Sequence, residues 1–191
     1  ISSGTWALVG IQTEKAIITH YGMKHNVANE GGYPGRHRLL RNVMGTWILQ
    51  EIRSYYRENG KEYSYSDLEE MAAESEAFSY LIDVDDPTFF EPGDMPRKIQ
   101  NFCELFYGSK PQSIGEIVRC VYESLAMKFR WSIEILERLT NQAFPLVHLI
   151  GGGSKDKLLC QLTADICGKP VEAGPAEATS YGNILVQLIA N

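Results

Sequence analysis

The 191-residue sequence lacks several features that would settle its class at once. No apolar run approaches the ~20 residues that a membrane-spanning helix needs, and no basic stretch followed by an apolar one opens the chain as a leader. Basic residues are in deficit. With 18 Lys and Arg against 24 Asp and Glu, the net charge is -6, which excludes a surface that holds nucleic acid by displacing counterions. Cysteine is sparse, and Cys103, Cys120, Cys160 and Cys167 make no C-x-x-C pair. Cys160 and Cys167 would lie two helical turns apart, too far to bridge, so four free thiols in a cytoplasmic protein are expected. His20, His25, His37 and His148 show no metal-ligand spacing, and His148, inside an apolar run, reads as a satisfied core residue. The Gly-Lys-Ser/Thr of a P-loop is missing. Gly151-Gly152-Gly153 is contiguous, unlike the G-x-G-x-x-G of dinucleotide sites. An initiator Met is missing too. The opening Ile1-Ser2-Ser3-Gly4-Thr5-Trp6 already reads as a strand, which suggests a piece of a longer protein.

What is present has the balance of a globular domain, 44% hydrophobic and 22% charged. Trp6–Ile11 and Ala16–Tyr21 read as a β-hairpin, followed by a short strand near Asn26–Asn29 that ends at Gly31-Gly32 and Pro34-Gly35. His37–Asn59 carries Leu40, Val43, Met44, Trp47, Ile48, Ile52 and Tyr55 at helical spacing, with Gly60 to close the helix. Ser66–Glu69 and Ser113–Glu116 have the pattern of capping boxes, the first opening a helix to about Ala77 and the second a long apolar-faced one. Between them, Asp83–Met95 reads as an acidic, solvated loop and Pro96–Tyr107 as a helix. Met127 and Trp131 follow helical spacing and read as core. Leu146–Ile150 reads as a central strand, Lys155–Cys167 as a helix, Val171–Ala173 as a strand and Ala176–Ala190 as a final helix. An antiparallel three-stranded meander followed by parallel strands flanked by helices is the order of the ribonuclease-H-like α/β fold, that of the actin-like ATPases and sugar kinases.

Three stretches carry possible chemistry. Ser2-Ser3-Gly4-Thr5 lets backbone N–H groups face an anion at close range. Gly151-Gly152-Gly153 joins a strand to a helix, where a flat ligand or a phosphate approaches the backbone. Asn29–Gly32, with Asn42 and Gln50 two turns apart on one side of the expected helix, offers carboxamides that suit a hydroxyl-rich ligand. Each has a plainer reading as a turn or a solvated face. The acids of Asp83–Asp86 and Glu91–Asp94 lack calcium-loop spacing.

Taken in order, several segments resemble the C-terminal half of the FGGY carbohydrate kinases, and within them the branch acting on L-rhamnulose. They are Ser2–Trp6, Asn29–Gly32, Arg41–Gln50, Gly151–Ser154, Leu158-Leu159, Ala173–Ala178 and Gly182–Ile184. The resemblance implies a nucleotide-binding domain over residues 1–191, with a helical insertion at about 60–112 and an N-terminal domain elsewhere in the same protein. It implies ATP-dependent phosphorylation of the 1-hydroxyl of a ketose, with Mg²⁺. By position, Thr5 would meet the nucleotide phosphates, Gln50 would help to hold ATP, Gly152 and Gly153 would lie against the adenosine, and Asn42 would touch the sugar or line the cleft near it. The family's general base is an Asp upstream of the Ser-Ser-Gly-Thr motif, so it would precede Ile1, and Glu30 is not a substitute. Asp156 stands where these kinases often carry Asn, a departure near the adenine side. Another ketose such as L-fuculose or L-xylulose, or a non-catalytic ligand-binding role, are the alternatives; an actin- or Hsp70-like ATPase would need phosphate-loop residues that this sequence does not have.

Overall fold

A computed structural model describes residues 1–33 and 35–190. The sheet is built around β2 (Trp6–Thr13), which pairs antiparallel with β1 (Ser2–Ser3) on one side and β4 (His37–Met44) on the other. β3 (Ala28–Gly31) adds antiparallel to β4. β5 (Val147–Leu149) and β6 (Val171–Ala173) form a parallel pair. A parallel bridge from Ser2 to Ile150 joins the two sets, so the order across is β3-β4-β2-β1-β5-β6. Ser3 N–H donates to Ile150 O at 2.8 Å and Ile150 N–H to Ile1 O at 2.8 Å. That junction places the Ser3–Thr5 turn beside the glycines that follow β5.

The helices are α1 (His20–Lys24), α2 (Trp47–Glu58), α3 (Tyr65–Ala73), α4 (Met95–Tyr107), α5 (Ile114–Thr140), α6 (Lys157–Cys167) and α7 (Ala178–Ala190). α5 is the spine. A capping box between Ser113 and Glu116 starts it, and Asn141 in the left-handed region ends it. Val118, Val121, Leu125 and Phe129 are fully buried on it, in one core with Ala7 and Val43 of the sheet. Leu68 and Ala72 of α3, and Met95, Ile99 and Cys103 of α4, belong to that same core. α7 contributes no buried residue, and Ile184, Leu185, Leu188 and Ile189 lie exposed along it. Among the described residues no helix is long and apolar enough to cross a membrane.

Several expectations need correction. The helix read over His37–Asn59 is strand β4, a turn at Gly45-Thr46, and then α2. β4 lies between β2 and β3, and Leu39, Leu40, Arg41, Val43 and Met44 are all buried. A strand covered on both faces reads as a near-continuous apolar run, which helical spacing also fits. The expected second hairpin strand at Ala16–Tyr21 does not form. Thr19 instead caps α1, accepting from Gly22 N–H at 2.9 Å. Both backbone groups of Ile17 are taken by the Asn29 carboxamide, at 2.9 Å each, so no partner strand is needed.

The short strand that follows runs Ala28–Gly31, and the expected turn at Pro34-Gly35 falls partly outside the described residues. The first capping box pairs Ser64 with Asp67, two residues earlier than read at Ser66–Glu69, and its helix ends at Ala73. Asp83–Asp94 is a loop, with one 3₁₀ turn at Pro87–Phe89, and the helix expected from Pro96 begins at Met95. The closing helix begins at Ala178, two residues later than expected. His148 is not a core residue: its side chain is 65% exposed and faces Glu172 at 3.2 Å. Trp131 is 40% exposed, lying under Arg41 and Lys128 at 4.2 and 4.8 Å.

Candidate functional site

The turn between β1 and β2, the start of α2 and the glycines after β5 enclose one side of a pocket of about 1070 Å³. Its walls include Gly4, Thr5, Thr46 and Gln50 at one end, and Tyr65, Glu69, Asp156 and Leu158 at the other, with Gly152 and Gly153 between.

The first end is held together by backbone and hydroxyl bonds. Thr46 donates to Gly4 O through both its N–H, at 2.7 Å, and its hydroxyl, at 2.9 Å. Gly45 N–H donates to Thr5 O at 3.1 Å. A β-carbon on Gly45 would meet Gly4 O at 2.3 Å, so only glycine lets the turn lie against α2. Gln50, one turn into α2, donates to the hydroxyls of Thr5 at 3.3 Å and Thr46 at 3.4 Å. No side chain caps the start of α2. The partial positive charge of its first turn therefore acts beside two hydroxyls and a carboxamide, a setting that suits an anion.

The three glycines have different jobs. A β-carbon on Gly153 would stand 2.3 Å from Ser3 Oγ and 2.7 Å from Ser3 Cβ, whereas one on Gly152 would meet nothing within 4 Å. Gly153 is glycine because the Ser3 turn packs on it; Gly152 is open to the pocket.

The second end is acidic where charge is least solvated. Asp156 caps α6, accepting from Leu159 N–H at 2.9 Å, and accepts also from the Tyr122 hydroxyl. Burial holds the Asp156 carboxyl above the usual aspartate range, and burial together with Asp156 pushes the Tyr122 phenol up. Glu69, from α3, accepts from Leu158 N–H at 2.8 Å.

Thr5, Gln50, Gly152 and Gly153 thus come together as expected from the sequence. Asn42 does not join them. It lies on β4 opposite Leu8, exposed, and is not among the pocket's lining residues. Asn29 pins Ile17, and Glu30 is paired with Arg38 at 2.7 Å, so neither carboxamide nor acid there faces this pocket. Sequence reading missed Thr46, Tyr65 and Glu69. A capping box placed at Ser64 rather than Ser66 makes Tyr65 the first helical residue and sets Glu69 one turn along on the same face.

Comparison with known proteins agrees with this architecture. Residues 1–191 match the C-terminal domain of the FGGY family of carbohydrate kinases. The chain is 41% identical to the rhamnulokinase of Enterococcus faecalis, over all of this chain and 38% of that protein. It is 39% identical to the rhamnulokinase of Bacillus subtilis, over 100% of this chain and 39% of that one. It therefore spans about two-fifths of the length of these relatives. Among solved structures, a xylulose kinase from Rhodospirillum rubrum superposes with a TM-score of 0.61 at 18% identity, over 91% of this chain and 34% of that one. A Plasmodium falciparum glycerol kinase with ADP gives 0.60 at 16%, over 95% and 36%. The solved structures share the fold of the actin-like ATPases and sugar kinases, and the chain belongs to the FGGY family of carbohydrate kinases, whose C-terminal domain it matches throughout.

Proposed function

We propose that this chain is the nucleotide-binding lobe of an ATP-dependent ketose kinase, and that the ketose is L-rhamnulose, phosphorylated at its 1-hydroxyl. The observation that carries the reading is the single pocket joining Thr5, Thr46 and Gln50 to Gly152. The nucleotide phosphates lie at the Thr5 end, where the start of α2 is uncapped. The adenosine lies along Gly152, between α3 and α6. The choice of L-rhamnulose rests on the 39–41% identity to rhamnulokinases.

Phosphoryl transfer needs positioning and neutralisation of charge more than covalent chemistry from the protein. Two hydroxyls, a carboxamide and the partial positive charge at the start of α2 supply the positioning at the phosphate end, while the N–H groups of Gly45, Thr46 and Trp47 are taken by the carbonyls of Gly4 and Thr5. Mg²⁺ would arrive on the nucleotide, bound by its phosphates and by water, the usual way this ion is held. Among the described residues no group of three or more His, Cys, Asp or Glu is placed to hold it. The lining acids Glu69, Glu70 and Asp156 stand with α3 and α6, away from the end assigned to the transferred phosphate. On this reading the base that accepts the sugar's proton and most of the ketose site are supplied by the remainder of a longer protein, and Asn42, exposed on β4, stands outside the nucleotide pocket. Free thiols at Cys103, Cys120, Cys160 and Cys167 agree with work in a reducing cytoplasm.

Isothermal titration with ADP and Mg²⁺ tests the lobe, and a panel of ketoses assayed with the full-length protein tests the substrate. One-site heat, and a kcat/KM highest for L-rhamnulose, are expected. No heat contradicts the first reading, and L-rhamnulose among the poorest ketoses contradicts the second.

A further inference from the structure

The two ends of the pocket are finished differently, and the difference says which part of a nucleotide each can take: at α2 the first N–H donates to the neutral carbonyl of Thr5, whereas at α6 carboxylates take that place. At α6 the first free N–H groups are already used. Leu158 N–H donates to Glu69 and Leu159 N–H to Asp156. A helix start attracts an anion only while its N–H groups and partial charge are unspent. Two carboxylates of the same chain spend both, so a phosphate placed there would meet like charge. Lys155 and Lys157 also line this end, but from exposed positions where solvent and salt screen them, whereas Glu69 and Asp156 are partly buried.

Tyr65, Glu69 and Ala73 recur every fourth residue on α3 and all line the pocket, with Leu49, Leu158 and Gln161 among the other lining residues. The result is a mostly apolar slot with a fixed anionic acceptor. One oxygen of Glu69 is held by Leu158 N–H, which orients the carboxylate. A carboxylate accepts only, so its ligand at this place must be a donor. An adenine nucleoside lying in such a slot presents two kinds of donor, the ribose hydroxyls and the exocyclic amino group of the base, and the hydroxyls offer two adjacent donors to one carboxylate.

We propose that Glu69 accepts hydrogen bonds from the ribose hydroxyls of the bound nucleotide. It is then the residue by which the site separates ribonucleotides from deoxynucleotides, and with Asp156 it keeps the phosphates at the Thr5 end. The inference rests on the nucleotide reading of this pocket.

The test compares the affinities of ADP and 2′,3′-dideoxy-ADP for the protein and for Glu69→Ala. The unsubstituted protein is expected to favour ADP by about tenfold or more, the usual worth of hydrogen bonds to a charged acceptor. In Glu69→Ala the ratio should fall to within about twofold, chiefly through weaker ADP binding. Loss of the Leu158 cap alone would weaken both ligands alike and leave the ratio where it was. Glu69→Gln keeps an acceptor for Leu158 N–H, guards against an unfolded alanine variant, and should show a reduced ratio. A ratio near one in the unsubstituted protein, or an unchanged ratio in both variants, overturns the inference while ADP binding itself leaves the pocket's assignment standing. Inosine diphosphate separates the ribose from the base: if Glu69→Ala erases a preference for ADP over IDP and spares the ribose ratio, the acid reads the base amino group and the proposal fails. If ADP does not bind the unsubstituted protein, the nucleotide reading falls and this inference with it.

Discussion

Gly152 and Gly153 are neighbours with opposite constraints, and substitution separates them. Gly153→Ala forces a β-carbon onto Ser3 and should cost about 1–3 kcal/mol in urea unfolding, the usual penalty of overpacking. Gly152→Ala meets nothing within 4 Å and should change stability by less than about 0.5 kcal/mol. Because the new methyl narrows the pocket, ADP affinity should nevertheless fall about fivefold, or ~1 kcal/mol. Asp156 supplies a pH-dependent case. Its carboxyl is raised by burial, so the folded state holds the proton more tightly than the unfolded chain does. Its favourable contribution is present below the ordinary aspartate pKa and is lost as pH rises through the folded value. Asp156→Asn keeps an oxygen for Leu159 N–H, and Asn caps as well as Asp; its NH2 replaces the oxygen that accepts from Tyr122 and donates to the phenol oxygen instead, so that bond survives with its direction reversed. The variant should match the parent in thermal unfolding near pH 4 and gain on it, by about 1 kcal/mol, toward pH 7.

At the scale of elements, the acidic wall of the pocket depends on how α3 is held. Glu123 of α5 is about 1% exposed, bonded to Arg119 at 2.5 Å and to Phe78 N–H at 2.8 Å, and so fixes the segment leaving α3. Glu123→Ala leaves the part-buried Arg119 with only Ala72 O at 3.4 Å and Phe78 N–H without its acceptor, and should cost about 2–3 kcal/mol in chemical denaturation. Element type was legible where one period dominated and a cap marked the start, as at Ser113 for α5. It was misread at β4, because Leu40, Val43, Met44 and Trp47 fit a helical stripe and only Gly45-Thr46 marks the break. Strand pairing on both sides of β4 is a long-range fact that no local spacing carries. The grouping of Thr5 with Gln50 at one end of the pocket could be read from motif order. Asn42 could not be placed, since its assumed helix is a strand that points it elsewhere. Glu69 was missed because the α3 cap was set two residues late.

For the molecule as a whole, the junction between β1 and β5 brings two sequence-distant turns together and gives the pocket a direction. Hydroxyls and an uncapped helix start form one end; two carboxylates over a capped helix start form the other. Thr5→Ala should weaken ADP about tenfold in calorimetric titration, the loss of one hydroxyl–phosphate bond, with little change in melting temperature because the Thr5 side chain is exposed. The most direct measurement is a crystal structure of the protein with ADP. The β-phosphate should lie against Thr5 and the start of α2, with the ribose beside Glu69 and the base between α3 and α6. ADP bound in the reverse direction, or outside this pocket, would contradict the account.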